Sequence, residues 1–240
     1  MKIVHFLLSG RFGHFLYAEA NVSMPSYPFP PRTSIIGLIG AVIGIEKDIS
    51  QIELEPTYIA ISGKLPEKFW VTNKFHQSLP AKLPSTIYKN IKGSSSEVTN
   101  QKRLKQEWLF NPIYEIWVSL PEKYHDEFAN RIKEHRWHFC PCLGISEHIA
   151  DLQWISNETA IQLVKSKYSI SSAFPESAGE LDMDEIFDNQ LILHCVRMPR
   201  EVNKDRVFSH CNYYFERDMK TIPLVTDQAF EVENRKIIFM

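Results

Sequence analysis

The chain has 240 residues, of which 44% are hydrophobic and 23% charged, a composition typical of a folded globular protein rather than a disordered one. This length fits one large domain or two small ones. Four cysteines are too few for a disulfide scaffold, and the short apolar amino-terminal run contains His5 and lacks a small-residue cleavage site. We therefore expect a cytoplasmic protein with reduced thiols, whose first residues form a strand rather than a signal peptide.

The net charge of −2 hides a local basic segment. The segment from Lys82 to Lys105 contains six cationic residues and one acidic residue, Glu97. Its net charge is therefore about +5, and that of the remaining chain is about −7. A local basic segment can bind phosphate even when the whole protein is slightly negative. The six cations are Lys82, Lys89, Lys92, Lys102, Arg103 and Lys105.

A proline-rich segment leads into an apolar helix near the amino terminus. Three prolines between Ser26 and Arg32 hold the backbone extended, so the helix is predicted over about 33–44, with Thr33 or Ser34 as its N-cap. Small residues at i, i+3, i+4 and i+7 give this helix one smooth face, formed by Gly37, Gly40, Ala41 and Gly44. Because glycine is unfavourable inside a helix, we expect the backbone of a sheet to lie close to this face.

The remaining patterns predict the fold class. After a strand at residues 2–8 and the apolar helix, the predicted elements are a hairpin of Tyr58–Ser62 with Trp70–Phe75, a long loop at about 77–106 that is functional or partly mobile, a strand at Ile113–Ser119, a helix at Glu122–Glu134 and a strand at Leu152–Ile155. This order, with one extra strand, is the β-α-β-β-α-β order of the ferredoxin-like (RRM-like) skeleton found in RNA-recognition modules. We predict an α+β protein with a ferredoxin-like palm in 1–160 and a mostly β carboxy-terminal subdomain, without a strong helix, in 161–240.

No motif in the chain identifies an enzyme class. The sequence lacks the aromatic signature of RNA-recognition motifs, a P-loop, a dinucleotide-binding fingerprint and a Gly-x-Ser-x-Gly elbow. If the protein binds RNA, the face of the sheet is therefore not the obvious platform.

Four segments of the chain carry distinctive motifs, Gly10–Phe15, Tyr27–Ile45, Gln106–Ile116 and Phe139–Glu147, and Ile222–Val225 carries a weaker one. In this order they resemble the fifth family of CRISPR-associated proteins, the subunit of the type I Cascade complex that grips the 5′ handle of CRISPR RNA. The resemblance implies a ferredoxin-like palm of the RAMP superfamily with a thumb inserted at about 77–106. It also implies contacts with the handle, with the backbone subunit beside it and with the large subunit, and some members of one subtype cut precursor RNA without a metal.

Candidate RNA-binding residues lie around the apolar helix and in the thumb. Arg32 stands where a helix N-terminus favours phosphate, although it could instead cap a neighbouring carbonyl. Arg11 and His14 flank Gly13 in a loop that could also contact RNA or be solvated. The thumb contributes aromatic and basic side chains suited to stacking and phosphate contact, Tyr88, Lys89, Lys92, Lys102, Arg103 and Lys105. Solvation, or pairing of Arg103 or Lys105 with Glu107, is the alternative for the thumb cations.

Metal binding and catalysis are the weaker interpretations. Cys140 and Cys142 have poor zinc spacing, with His135 and His138 nearby, and the acidic residues at 180–188 are interpreted as a solvated loop. We expect no metal and no cofactor. A general base for RNA cleavage could come from side chains in the loops, namely His14, His76, Tyr88 or Lys89.

We expect a non-catalytic subunit of a type I CRISPR interference complex in antiviral defence. Its partners would be the handle of the guide RNA, the Cascade backbone and large subunits and, through the complex, target DNA, without membrane contact. A metal-independent endoribonuclease and a structural assembly subunit with a protein-facing thumb are the alternatives.

Overall fold

A computed structural model describes residues 1–47, 49–76 and 101–240 of the chain. The strands of these residues are β1 Lys2–Ser9, β2 Phe12–Gly13, β3 Tyr58–Ser62, β4 Glu67–His76, β5 Gln101–Phe110, β6 Ile113–Ser119, β7 Asp151–Thr159, β8 Ile161–Gln162, β9 Ser166–Ile170, β10 Phe174–Pro175, β11 Glu180–Leu181, β12 Leu193–Val202, β13 Phe208–Glu216, β14 Ile222–Thr226, β15 Phe230–Val232 and β16 Arg235–Ile237. The helices are α1 Arg32–Ile43, α2 Ser50–Glu53, α3 Glu122–Lys133 and α4 Met183–Asp188, with a 3-10 turn at Glu176–Ala178.

The amino-terminal part is built on a four-stranded antiparallel sheet in the order β3-β6-β1-β7. Alternate side chains of β1, among them Val4 and Phe6, face α1 and α3, and the Phe6 and Phe128 rings meet edge to face with centroids 5.6 Å apart. The predicted order of two helices among four strands is therefore present, in a mixed and mostly antiparallel α and β structure.

The opposite face of this sheet is partly covered by the carboxy-terminal strands. Ile3 and Trp117 pack there with Val232 of β15 and Ile237 of β16, and all four side chains are buried. The Arg235 guanidinium lies 5.5 Å from the Trp117 ring centroid and pairs with Glu115. Apolar side chains of the same protein thus occupy the part of the face that an RNA-recognition module leaves open.

The predicted hairpin of 58–62 with 70–75 is wrong. β3 pairs with β6 of the four-stranded sheet, whereas β4 pairs with β5 in a separate sheet of order β2-β5-β4. Both segments are strands as predicted, but alternation shows only that a segment is a strand. The choice of partner depends on contacts that are distant in sequence.

The β4–β5 pair is a long antiparallel hairpin that leads into and out of residues 77–100, which lie outside the described residues. The prediction of a loop over 77–106 is wrong at its carboxy-terminal end, because 101–106 belong to β5. The polar Gln106 stands between Leu104 and Trp108 on the same face, so the segment lacks the regular apolar alternation that predicts a strand.

Helix α1 begins at Arg32, with Pro31 at the N-cap and no side-chain cap, so the predicted capping by Thr33 or Ser34 is wrong. The helix ends at Gly44, whose φ of 87° is left-handed. Its glycines do not face a sheet: a Cβ at Gly40 would lie 2.8 Å from the Ser50 Cβ, and one at Gly44 would lie 2.7 Å from the His138 ring. Within the ranges described above, no helix is both long and apolar enough to span a membrane.

The carboxy-terminal residues form mostly short strands, as predicted, but they also contain the short helix α4, whose N-cap Asp182 accepts a hydrogen bond from Glu185 N. One group of their side chains, around Ile170 and Leu224, forms its own apolar cluster. Another group, including Met198 and Tyr213, joins the core beneath α1. A boundary at residue 160 stays a prediction.

Candidate nucleic-acid interface

Three of the four family-like segments meet at the base of the β4–β5 hairpin. The Gly10 amide donates to Pro112 O at 3.3 Å, and the Asn111 amide donates to Arg11 O at 2.9 Å. The His14 amide donates to Leu143 O at 3.0 Å. These main-chain bonds join segments 10–15, 106–116 and 139–147 into one platform.

The backbone geometry at position 144, in the last of these segments, requires a glycine. Its φ of 91° is left-handed, and a Cβ at this position would lie 1.8 Å from the carbonyl oxygen of His14. Only a residue without a side chain lets the two backbones approach this closely. The platform therefore depends on Gly144.

His14 lies within this platform and not on its surface. The side chain is 1% exposed, and its Nδ1 lies 2.7 Å from Glu107 O. Burial lowers the pKa of His14, against a smaller raising effect of the Glu107 carbonyl and carboxylate. The prediction of RNA contact for His14 is therefore corrected, because this side chain bonds to the protein itself.

Arg32 is also turned inward. It is 5% exposed, and its Nη2 donates to Glu55 Oε1 and to Thr57 O, both at 2.8 Å. Its Nη1 donates to the carbonyl of Arg200 at 3.4 Å. The alternative of an arginine capping neighbouring carbonyls is the one that the structure shows, and the phosphate-binding prediction is corrected.

Arg11, in contrast, is exposed at the edge of the platform. Its guanidinium carbon lies 5.5 Å from the centroid of the Phe12 ring. In the part of the chain that the structure describes, no carboxylate pairs with Arg11. Arg11 is therefore placed where it can meet a ligand.

The hairpin has two chemically different faces because side chains alternate along each strand. Directly opposed residues share a face, and the register pairs Trp70 with Glu107 and Thr72 with Lys105. Trp70, Lys105 and Arg103 therefore share one face, which we call the cationic face. Trp70 is 52% exposed, and Arg103 and Lys105 are also exposed.

The two thumb cations of the cationic face are not neutralised by Glu107. The Glu107 carboxylate accepts from Lys68 Nζ at 3.1 Å and from the Ser26 amide at 2.9 Å. Among the residues that the structure describes, no carboxylate pairs with Arg103 or Lys105. The alternative that Glu107 pairs with Arg103 or Lys105 is therefore wrong, and both cations remain available to a ligand.

The other predicted thumb residues fall at or beyond the end of the described hairpin. Lys102 lies in β5 opposite Phe75. Tyr88, Lys89 and Lys92 lie outside the described residues. Their contact with RNA stays a prediction.

The aromatic side chains at the base of the hairpin form a cluster that was not predicted from the sequence. Phe12, Phe69 and Phe110 group together with centroid distances of 5.8 to 6.4 Å, and Trp108 and His148 lie against them. Aromatic residues at alternate positions of β5, Trp108 and Phe110, were the available signal. That signal is shared by ordinary core strands, so it did not indicate an exposed surface.

The residues considered for metal binding have structural contacts. The His138 ring packs against Gly44, and Asp182 and Glu185 both pair with Lys167. Across 1–47, 49–76 and 101–240, no group of three or more histidine, cysteine, aspartate or glutamate side chains could hold a metal ion.

The chain matches a known protein family. The family model described as CRISPR-associated protein (Cas_Cas5) matches residues 3–213. The comparison with curated protein sequences found no match.

Comparison with solved structures gives similar folds at low sequence identity. A CRISPR protein from Archaeoglobus fulgidus superposes with a TM-score of 0.55 at 13% identity, covering 100% of this chain and 99% of that one. A chain of a CRISPR RNA-guided surveillance complex superposes with a TM-score of 0.52 at 12% identity, covering 92% of this chain and 91% of that one. At these identities the similarity concerns the fold.

Proposed function

Because the chain belongs to the CRISPR-associated Cas5 family, as its four sequence segments predicted, we propose that it is a non-catalytic RNA-binding subunit of a type I CRISPR interference complex, Cascade. In this proposal the four-stranded sheet with α1 and α3 is the ferredoxin-like palm, and the β4–β5 hairpin is the stem of the thumb. The subunit caps the complex and grips the 5′ handle of the guide RNA. Its protein partners are the backbone and large subunits.

The cationic face of the hairpin carries this proposal. It carries the exposed Trp70 ring and, further along the hairpin, Lys105 and Arg103, two cations that no described carboxylate neutralises. Single-stranded RNA is bound by this combination, because its phosphates need cations and its bases need flat apolar rings. The sheet face is a poorer candidate, since β15 and β16 cover part of it.

We also propose that the protein binds RNA without cleaving it. A general base must come within hydrogen-bond reach of the ribose hydroxyl. Of the four side chains considered for that role, His14 is buried and its Nδ1 lies against Glu107 O. The burial of His14 removes one of these candidate bases and so supports binding without cleavage.

The test of RNA binding is a double variant, Arg103→Ala with Lys105→Ala, titrated with synthetic RNA carrying the handle of the repeat. Its affinity should fall, and the slope of log affinity against log salt should become shallower by up to about 1.4, or about 0.7 per lost phosphate contact. The matched control replaces two exposed lysines elsewhere, Lys47→Ala with Lys165→Ala, and should leave the slope unchanged. Equal behaviour of the two double variants would contradict the cationic face as the RNA grip.

Two further measurements separate the alternatives. Labelled repeat RNA incubated with the protein in EDTA should stay intact, and a specific cut would establish the endoribonuclease instead. Photocrosslinking in the assembled complex should give RNA adducts on β5. Adducts only with other subunits would favour a structural subunit whose thumb faces protein.

A further inference from the structure

The base of the hairpin carries a second exposed feature, on the face opposite the cationic face. Phe69 and Phe110 are 37% and 42% exposed, and the Phe12 ring centroid lies 5.8 Å from that of Phe69 and 6.0 Å from that of Phe110. We call Phe12, Phe69 and Phe110 the aromatic ledge. Large exposed aromatic groups of this kind mark interaction sites, because they are unfavourable in water without a partner.

The ledge is held in a fixed arrangement by main-chain pairing. Phe12 in β2 is paired with Phe110 in β5, and Phe69 in β4 is paired with Trp108 in β5. The Trp108 ring packs against the ledge, with its centroid 5.3 Å from that of Phe12. Rings fixed on three strands lose little conformational freedom when a flat ligand stacks on them.

Polar groups around the ledge favour a flat polar ligand over an aliphatic one. The exposed Arg11 guanidinium lies over Phe12, and it can bind phosphate. Behind the ledge, the His148 side chain is 3% exposed with both ring nitrogens unpartnered, and the buried Trp108 Nε1 is also unpartnered. The one described carboxylate on this face of the hairpin is that of Glu67, opposite Phe110.

We infer that the aromatic ledge stacks an unpaired nucleobase of the bound RNA, with Arg11 contacting the adjoining phosphate. This inference rests on the proposed RNA-binding function and adds a contact that is separate from the cationic face. The outer edge of β4 has no partner strand among the described residues. A single strand can therefore cross that edge and contact both faces of the hairpin.

The experiment compares two probes, decaadenosine and an oligonucleotide of the same length that lacks the bases. In the double variant Phe69→Leu with Phe110→Leu, the apolar volume is largely kept while the flat rings are lost. Its affinity for decaadenosine should fall about 5- to 150-fold, the range for losing a base–aromatic stack, and its affinity for the abasic probe should not change. The salt slope should also stay that of the wild type, because no charge is removed.

The control is Arg103→Ala with Lys105→Ala. This double variant should bind both probes more weakly by the same factor and should have a shallower salt slope. Thermal melting of each variant checks that the fold is retained. The ledge is not a base-stacking site if the leucine variant binds both probes with the affinity of the wild type, or if its affinity falls equally for both probes. If the leucine variant binds RNA normally but co-purifies with less of the other subunits, the ledge binds protein and the base-stacking inference is also contradicted.

The outcomes for the ledge and for the proposed function are distinct. If the Phe69→Leu, Phe110→Leu variant binds decaadenosine like the wild type while the Arg103→Ala, Lys105→Ala variant binds it more weakly, only the ledge is contradicted as a base-stacking site. A wild-type protein that binds neither probe contradicts the RNA-binding function itself.

Discussion

Helix α1 and the β4–β5 hairpin both combine arginine with apolar side chains, yet one is enclosed by the protein and the other is exposed. Arg32 of α1 donates to Glu55, Thr57 and Arg200. Arg103 of β5 is exposed without a described carboxylate partner. An arginine therefore indicates a ligand site only when the fold leaves its donors unused. The two regions meet through the platform of residues 10–15, 106–116 and 139–147.

The largest expected effect comes from the platform that joins the two regions. Gly144→Ala places a Cβ 1.8 Å from His14 O at a left-handed φ, so the free energy of unfolding should fall by at least about 2 kcal/mol. Urea unfolding measures the change. Gly37→Ala is the matched control, because nothing lies within 4 Å of its Cβ, and it should gain about 0.5 to 1 kcal/mol from helix propensity. Equal stabilities of the two variants would contradict the close packing at Gly144.

A pair of arginine variants tests the contrast itself. Arg32→Met should lower the free energy of unfolding by about 1 to 3 kcal/mol, because buried Thr57 O and the Glu55 carboxylate lose their donor. Arg103→Met should change it by less than about 0.5 kcal/mol while weakening RNA binding. Chemical unfolding and RNA titration of both variants give the comparison. If Arg32→Met kept the stability of the wild type but bound RNA more weakly, Arg32 would be an RNA-binding residue and not a structural one.

Acid should weaken the junction between the two regions. Burial lowers the pKa of His14 and of His148 below the ordinary 6.5, so each takes up its proton at a lower pH in the folded protein than in the unfolded chain. The unfolded chain binds more protons below pH 6.5, so this stability is fully present above pH 6.5 and is lost as the pH falls towards the folded pKa values. Around His148, His14 lowers the pKa further and Glu147 opposes it.

The measurement is the free energy of unfolding between pH 7.5 and 5, for which the wild type should lose stability with a slope below about 1.4 kcal/mol per pH unit for each histidine. His148→Gln should flatten this slope. If His148→Gln leaves the slope unchanged, the acid sensitivity comes from another group, either His14 or His125, whose pKa values are also lowered by burial.

The smallest expected effect concerns Glu67, the acid on the ledge face. Glu67→Gln removes a repulsive charge from a surface proposed to bind RNA, so the affinity for RNA should rise by about twofold at low salt and by less at high salt. Stability should change by less than about 0.5 kcal/mol, since Glu67 is exposed. Weaker RNA binding by this variant would show that the carboxylate is a binding group.

Several elements could be predicted closely from sequence because their signals are local. The strands Tyr58–Ser62 and Ile113–Ser119 have the predicted bounds, and α3 differs from its prediction by one residue. Alternation and helical periodicity depend only on neighbours in the chain. Family membership was also predictable, because it rests on the residues themselves.

The errors concern contacts between distant segments. The pairing of β4 with β5 in place of β3 could not be predicted, because both pairings bury alternating side chains. The inward orientation of Arg32 depends on Glu55 and on the carbonyl of Arg200, which is 168 positions away in the chain. The aromatic ledge likewise draws Phe12, Phe69 and Phe110 from three strands.

The sequence by itself determined the α and β composition, the order of the main elements, the family and the location of the positive charge. These properties follow from residue type and from spacing along the chain. The tertiary structure decided which cations are available to a ligand, because availability depends on whether a neighbouring carboxylate or carbonyl uses the donors first. Arg32 and His14 bond within the protein, whereas Arg11, Arg103 and Lys105 are exposed, because strand pairing brings acceptors to the first two and leaves the others at the surface.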